Sequence, residues 1–207
     1  MFVLHVLASV PMRARTPFLS LVCVLGALLS ACAGAPTAGE IKATFDSGLK
    51  DYDSGDYTSA YRKWKTINNV DVAAMRNTAV MLRKGQGVPK NPKAAQDQME
   101  QAANAGLVTA QADLGDMLLN GEAGPPDPKA AAPWLALAAE AGHPIAAFEL
   151  GKLYEQGSGV KQDSEAARKL YQQAAAAGDK DAEERLKALP PEIRGLHESA
   201  ADPSLAH

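Results

Sequence analysis

Gly106, Gly142 and Gly178 stand 36 residues apart, and Gly85, Gly121 and Gly157 keep the same interval in a ladder of their own. Two ladders in one register mean that a single structural unit is copied along the chain, and a period between about twenty and fifty residues marks a solenoid. The residues between the glycines give that unit its shape. From Ala146 the chain runs through Leu150-Gly151, Tyr154, Gly157-Ser158-Gly159, Asp163, Ala167, Leu170-Tyr171 and Ala174-Ala175 to Gly178. Apolar or small residues at 146, 150, 153 and 154 fall on one helical face, and those at 167, 170, 171 and 174 on another. Asp163 is placed to cap the second helix by accepting its free amide hydrogens. Gly178 suits the left-handed position that closes it. The unit is therefore a helix–loop–helix pair.

The preceding copy reads Ala110, Leu114-Gly115, Leu118, Gly121, Asp127-Pro128, Ala131, Trp134, Ala138-Ala139 and Gly142. One copy earlier come Ala74, Leu82, Gly85, Gly87-Val88, Asn91-Pro92, Ala95, Met99, Ala102-Ala103 and Gly106, with Thr78-Ala79 in place of Leu-Gly. Pro at the first helical position costs nothing, because the N–H it lacks has no partner there. Ala and Gly at helix contacts permit close approach, and Leu, Tyr and Trp fill the remaining space. Leu114, Leu150 and Trp134 are the expected core positions.

On these residues the chain resembles the Sel-one-like repeat of the tetratricopeptide-like superfamily. The resemblance covers about 72–178 and is densest over 146–178. It implies an all-α fold, a right-handed α-solenoid of about four helix pairs with a C-terminal capping helix. The expected units are 40–71, 72–106, 107–142 and 143–178, with a cap over 179–189. The first unit, with Gly48, Gly55-Asp56-Tyr57, Ala60 and Trp64, looks more like a plain tetratricopeptide motif. Ala182 and Leu186 mark the cap, which a solenoid needs to cover its open apolar end.

The ends of the chain carry other signals. Arg13 and Arg15 precede an apolar run over 18–29 that small residues close, the pattern of a signal peptide over 1–31. No basic residue precedes Met12, which reads as an alternative start. Leu29-Ser30-Ala31-Cys32 resembles the lipobox of bacterial lipoproteins, which implies a diacylglycerol and palmitate-type acylation on Cys32. An ordinary secreted protein with a cysteine near its cleavage site is the other reading. Residues 32–39 then form the lipidated cysteine and a tether. Ala33, by the sorting rule of enteric lipoproteins, favours the outer membrane facing the periplasm. Cys23 leaves with the signal, so the mature chain keeps no cysteine pair. Residues 190–207, opening on Pro190-Pro191, are expected to be a disordered tail.

Loss of Arg13 and Arg15 takes the formal charge from −3 to −5, and no basic stripe replaces it, which argues against nucleic acid as a partner. No nucleophile elbow or phosphate loop is present. His5, His143, His197 and His207 lack metal-ligand spacing. Gly85-Gln86-Gly87 and Gly157-Ser158-Gly159 occupy the repeat's own loop position. Asp97, Glu100, Asp113 and Asp116 read as solvated helix faces. The expectation is a non-enzyme with no catalytic residue, no metal and no cofactor. A branch of the repeat family stapled by cysteines is linked to penicillin binding, and this chain lacks those cysteines.

By resemblance, the first helix of each pair lines a concave binding face. Transferred by register, its recognition positions are Arg76, Val80 and Arg83, then Thr109, Ala112 and Asp116, then Ile145, Phe148, Lys152 and Glu155. Arg76, Arg83 and Lys152 offer charge to acidic groups of a partner, and Phe148 offers an apolar anchor. The implied function is a lipid-anchored envelope scaffold that binds another protein. Larger lipidated arrays of this superfamily imply a more specific role, assembly of an exopolysaccharide export machine, and a regulatory subunit of a peptidoglycan enzyme is the competing reading.

Overall fold

The computed structural model describes residues 35–189, and the signal peptide expected over 1–31, Cys32 and the tail expected over 190–207 lie outside the described residues. By contacts the chain divides after Ala38, and the helical array belongs to the second unit, Gly39–His207, within its described part. The described residues form helices and no strand: α1 Ala38–Asp53, α2 Tyr57–Ile67, α3 Val72–Lys84, α4 Pro92–Asn104, α5 Val108–Asn120, α6 Pro128–Glu140, α7 Pro144–Gln156, α8 Ser164–Ala176 and α9 Lys180–Ala188. From α2 onward each helix packs against the next, and α1 meets α2 where Gly48 faces Trp64, as an α-solenoid of helix pairs with a final single helix requires.

Local chemistry sets the boundaries. The helices α3 to α8 are each 13 residues long. The second helix of each repeated pair starts at an Asn or Asp whose carboxyl or amide oxygen accepts from the third residue on: Asn91 from Ala94 at 3.0 Å, Asp127 from Ala130 at 2.9 Å and Asp163 from Ala166 at 2.9 Å. The first helices have an equivalent series one repeat apart, Asp71, Leu107, His143 and Asp179. Asp71, His143 and Asp179 cap through their side chains, and Leu107 makes no such bond. His143 is thus a cap, its Nδ1 accepting from the Ala146 amide at 3.3 Å. All six ladder glycines are left-handed, with φ of +72°, +65° and +66° after the first helices and +87°, +88° and +93° after the second.

Three of the helix pairs meet at a glycine and one bulky side chain. A Cβ on Gly151 would lie 2.7 Å from the Tyr171 ring, and one on Gly115 would lie 2.5 Å from Leu135. In the first pair Gly48 faces Trp64 in the same way, at 2.6 Å, and Trp64 Nε1 donates to the Phe45 carbonyl at 3.1 Å. This corrects the expectation for the middle copy. Leu135 is the buried residue, 1% exposed, and Trp134 beside it is only half-buried. The reason is register: the residue opposite Gly115 is the one aligned with Tyr171, one position beyond Trp134. Leu114 and Leu150 are buried.

The α3–α4 pair departs from this scheme. Ala79 stands where the others have glycine, and the facing position holds Met99. Thr78 replaces the buried leucine, is fully buried, and its hydroxyl donates to Gln98 Oε1 at 2.7 Å, with the Met75 carbonyl at 2.9 Å. A buried hydroxyl is tolerated because it is hydrogen-bonded.

Candidate functional site

The register places Arg76, Val80, Arg83, Thr109, Asp116, Ile145, Phe148, Lys152 and Glu155 on the first helices α3, α5 and α7. Their environments divide into three zones. Between α3 and α5 the face is closed by ion pairs. Arg76 Nη2 lies 2.6 Å from Asp113 Oδ2, and its Nε donates to the same oxygen at 2.7 Å. Arg83 reaches both Asp116, at 2.5 Å, and Glu122, to which Nε donates at 2.7 Å and Nη2 donates as well. The hydrogen bonds to Glu122, joined by those to Asp116, hold the guanidinium well above its ordinary pKa against the effect of burial. Val80 is half-buried beside them and lines a cleft of about 270 Å³ with Leu49, Tyr52 and Trp64.

These bonds change the sequence-based expectation for the charged positions. Arg76 and Arg83 meet their acidic partners within the chain, so neither offers an unmet charge. Asp113 and Asp116 are those partners and are not simply solvated. Lys152 is also engaged, 2.8 Å from Glu149 and 5.5 Å over the Phe148 ring. The sequence pattern could not show this, because a pairing across repeats needs the offset between neighbouring helices as well as the register. Arg76 and Asp113 are 37 residues apart, and Arg83 and Glu122 are 39 apart.

The middle zone, between α5 and α7, has no charged bridge between the two helices among the described residues. Ala112 is buried, Phe148 and Leu119 are half-buried, Thr109 is exposed and Ile145 is 62% exposed. Ile145 is the most exposed large apolar residue described, and an exposed β-branched side chain beside a half-buried aromatic is a candidate contact.

The third zone is a cleft of about 510 Å³ between α7 and α9, with Phe148 and Ala188 as its apolar lining and Asp181, Glu184, Lys152 and Arg185 around them. Beside it Glu155 accepts from the Tyr171 hydroxyl at 2.6 Å and faces Arg185, one of the lining residues, at 3.4 Å. Burial first, and then the Glu155 bond, push the Tyr171 phenol well above its ordinary pKa. The Phe148 and Tyr171 rings lie 5.6 Å apart. Leu49, Asp181 and Glu184 were not among the residues the sequence singled out. Leu49 lies in the unit with divergent spacing, and the other two lie in the helix read only as a cap. Among the described residues no cluster of His, Cys, Asp and Glu could hold a metal ion, and no described helix is long and apolar enough to cross a membrane.

The arrangement has the form of a contact surface made of helix faces, and comparison with known proteins gives it a family. The Sel1 repeat model matches residues 72–107, 108–143 and 144–179, just over half of the chain. The chain belongs to the Sel1 repeat family. A Sel1 repeat protein from Oxalobacter formigenes is 33% identical, with 70% of this chain and 59% of that one covered and a TM-score of 0.64. A protective antigen present in uropathogenic Escherichia coli strains, displaying the same repeat fold, is 28% identical over 72% of this chain and 33% of its own, with a TM-score of 0.66. The chain thus spans less than two thirds of the length of either. Cysteine-rich protein B of Helicobacter pylori, 21% identical over 61% of this chain and 96% of its own with a TM-score of 0.50, shares the fold. No protein of curated function matches. Sel1 repeat proteins mediate protein–protein interactions, and their scaffold is generally non-catalytic.

Proposed function

We propose that this Sel1 repeat chain is a lipid-anchored adaptor of the bacterial cell envelope, with no catalysis of its own, that binds another protein on the concave face of its first helices. The observation that carries the reading is the contrast along that face. Ion pairs fill the α3–α5 zone, whereas no ion pair bridges α5 and α7, where Ile145 and Thr109 are exposed beside half-buried Phe148. An open apolar patch with an aromatic at its edge and charged residues on either side is how a protein contact is built. The anchor rests on Leu29-Ser30-Ala31-Cys32, and the outer membrane on Ala33. Two acyl chains would hold the chain stably, since each buried methylene contributes about 0.8 kcal/mol.

A photo-crosslinking amino acid placed at Ile145 or Thr109 in living cells is expected to capture one dominant protein, identified by mass spectrometry. The same probe at Lys187, on the exposed side of α9, should not capture it. Equal capture at all three positions would sink the assignment of the face. Labelled palmitate should enter the native chain and be absent from Cys32→Ala; equal labelling of both would sink the anchor.

A further inference from the structure

The opposite side of the array, formed by the second helices, carries a pattern of its own. Helix α6 has no charged residue between Lys129 and Glu140. Its solvent side holds Pro133, which is exposed, half-buried Ala136 and Leu137, which is 47% exposed. At the matching positions α4 carries Asp97, Glu100 and Gln101, and α8 carries Lys169, Gln172 and Gln173. The three helices are neighbours: Trp134 of α6 packs on the α4 cluster, and Gln173 of α8 donates to the Ala139 carbonyl of α6 at 2.5 Å. An apolar stripe is therefore flanked by a charged helix on each side.

The flanking charges are opposite at equal height. Lys93 and Asp97 form an exposed pair on α4, at 2.5 Å. Two repeats later, at the same register positions, Glu165 and Lys169 form an exposed pair on α8, at 2.6 Å, with the signs reversed. We propose that this face pairs with a second copy of the chain about a two-fold axis parallel to α6. Such an axis lays α6 on α6 of the second copy and α4 on its α8. Lys93 then meets Glu165 of the second copy, and Asp97 meets its Lys169, twice over, as an isologous interface requires. Each exposed pair becomes half of a square of alternating charge. A two-fold axis across the helices, centred on the same stripe, would bring Asp97 against Glu100 of the second copy, which is repulsive. In the parallel arrangement Lys129, level with Lys93 and Glu165, faces its own copy on the axis between the two acidic Glu165 side chains, which offset its repulsion, and Glu140 meets its copy at the far end of α6, where solvent screens it. Complementary charge fixes the register, and the Leu137 stripe supplies the buried apolar surface. This surface is separate from the one proposed to bind the protein partner.

Sedimentation velocity on the full chain, carrying Cys32→Ala so that acyl chains do not drive association, tests the proposal. The parent should pass from monomer to dimer as concentration rises, more weakly at high salt. Leu137→Glu should weaken the dimer at least about tenfold. So should Lys93→Glu with Asp97→Lys, and separately Glu165→Lys with Lys169→Glu. An equimolar mixture of those two charge variants should dimerise again, and one chain carrying all four changes should return to within about threefold of the parent. The changed side chains are exposed, and circular dichroism verifies that each variant keeps its helices. A parent that stays monomeric throughout, or two charge variants that fail to recover on mixing, would overturn the proposal.

Discussion

The α7–α8 pair and the α3–α4 pair have the same helix lengths, the same kind of cap and the same left-handed glycines, yet different chemistry holds them together. In α7–α8, Gly151 admits the fully buried Tyr171 ring. In α3–α4, Ala79 and Met99 take those places, and Thr78 with Gln98 puts a hydrogen bond where other copies have leucine. Backbone signals are thus shared by the copies, and packing is solved pair by pair. A larger residue on one helix goes with a smaller one opposite, because protein interiors are filled close to crystal density.

The sharpest way to break this comparison is to empty its bulkier side. Tyr171→Ala should cost about 3–5 kcal/mol in chemical denaturation, from lost burial and the cavity left behind. A cost under about 1 kcal/mol would show that the Gly151 contact does not hold the pair. Filling the smaller side comes next. Gly151→Ala should cost about 1–3 kcal/mol by overpacking against the ring, and much of that should return in Gly151→Ala with Tyr171→Met, which copies the Ala79 and Met99 solution. Failure of the double variant to recover would break the idea that the two solutions are interchangeable.

The polar seam should respond less. Thr78→Val leaves Gln98 without its partner and should cost about 1–2 kcal/mol. Thr78→Leu with Gln98→Leu, which restores an apolar contact, should be close to neutral in the same measurement. The smallest effect near neutral pH is electrostatic. The folded-state pKa of Tyr171 is raised, so its contribution is fully present below the ordinary tyrosine value of about 10 and is lost as pH rises beyond it. The thermal midpoint should therefore fall above about pH 10, and Tyr171→Phe should reduce that alkaline loss.

Much of the fold was legible in the sequence because its strongest signals are local. A left-handed position asks for Gly178, and a helix start asks for Asp163, whatever the neighbours are. Trp134 shows the limit. A repeat pattern marks an aromatic slot to within one residue, but whether 134 or 135 faces Gly115 depends on helix rotation, which only packing determines. The candidate site was less legible for a related reason. Arg76 and Arg83 look like free charges along the sequence, and their partners Asp113, Asp116 and Glu122 lie in the next repeat. Ile145 needed no such information: an apolar residue on an exposed helical position is visible from its register alone.

The equivalence of Asp71, Leu107, His143 and Asp179 also bears on how such a chain can change. Every unit is entered and left at the same point, so excising 108–143 would join Leu107 to Pro144 and present α4 to α7 where α6 stood. The receiving surface would still find small residues and one large one, as Ala95, Met99 and Ala102 stand in for Ala131, Leu135 and Ala138. Whole-unit duplication or loss therefore alters the reach of the protein without requiring a new kind of joint. A cut that ends inside a helix would turn the residues after it away from their neighbours. Recombination at these equivalent joints lengthens or shortens the molecule in steps of one unit.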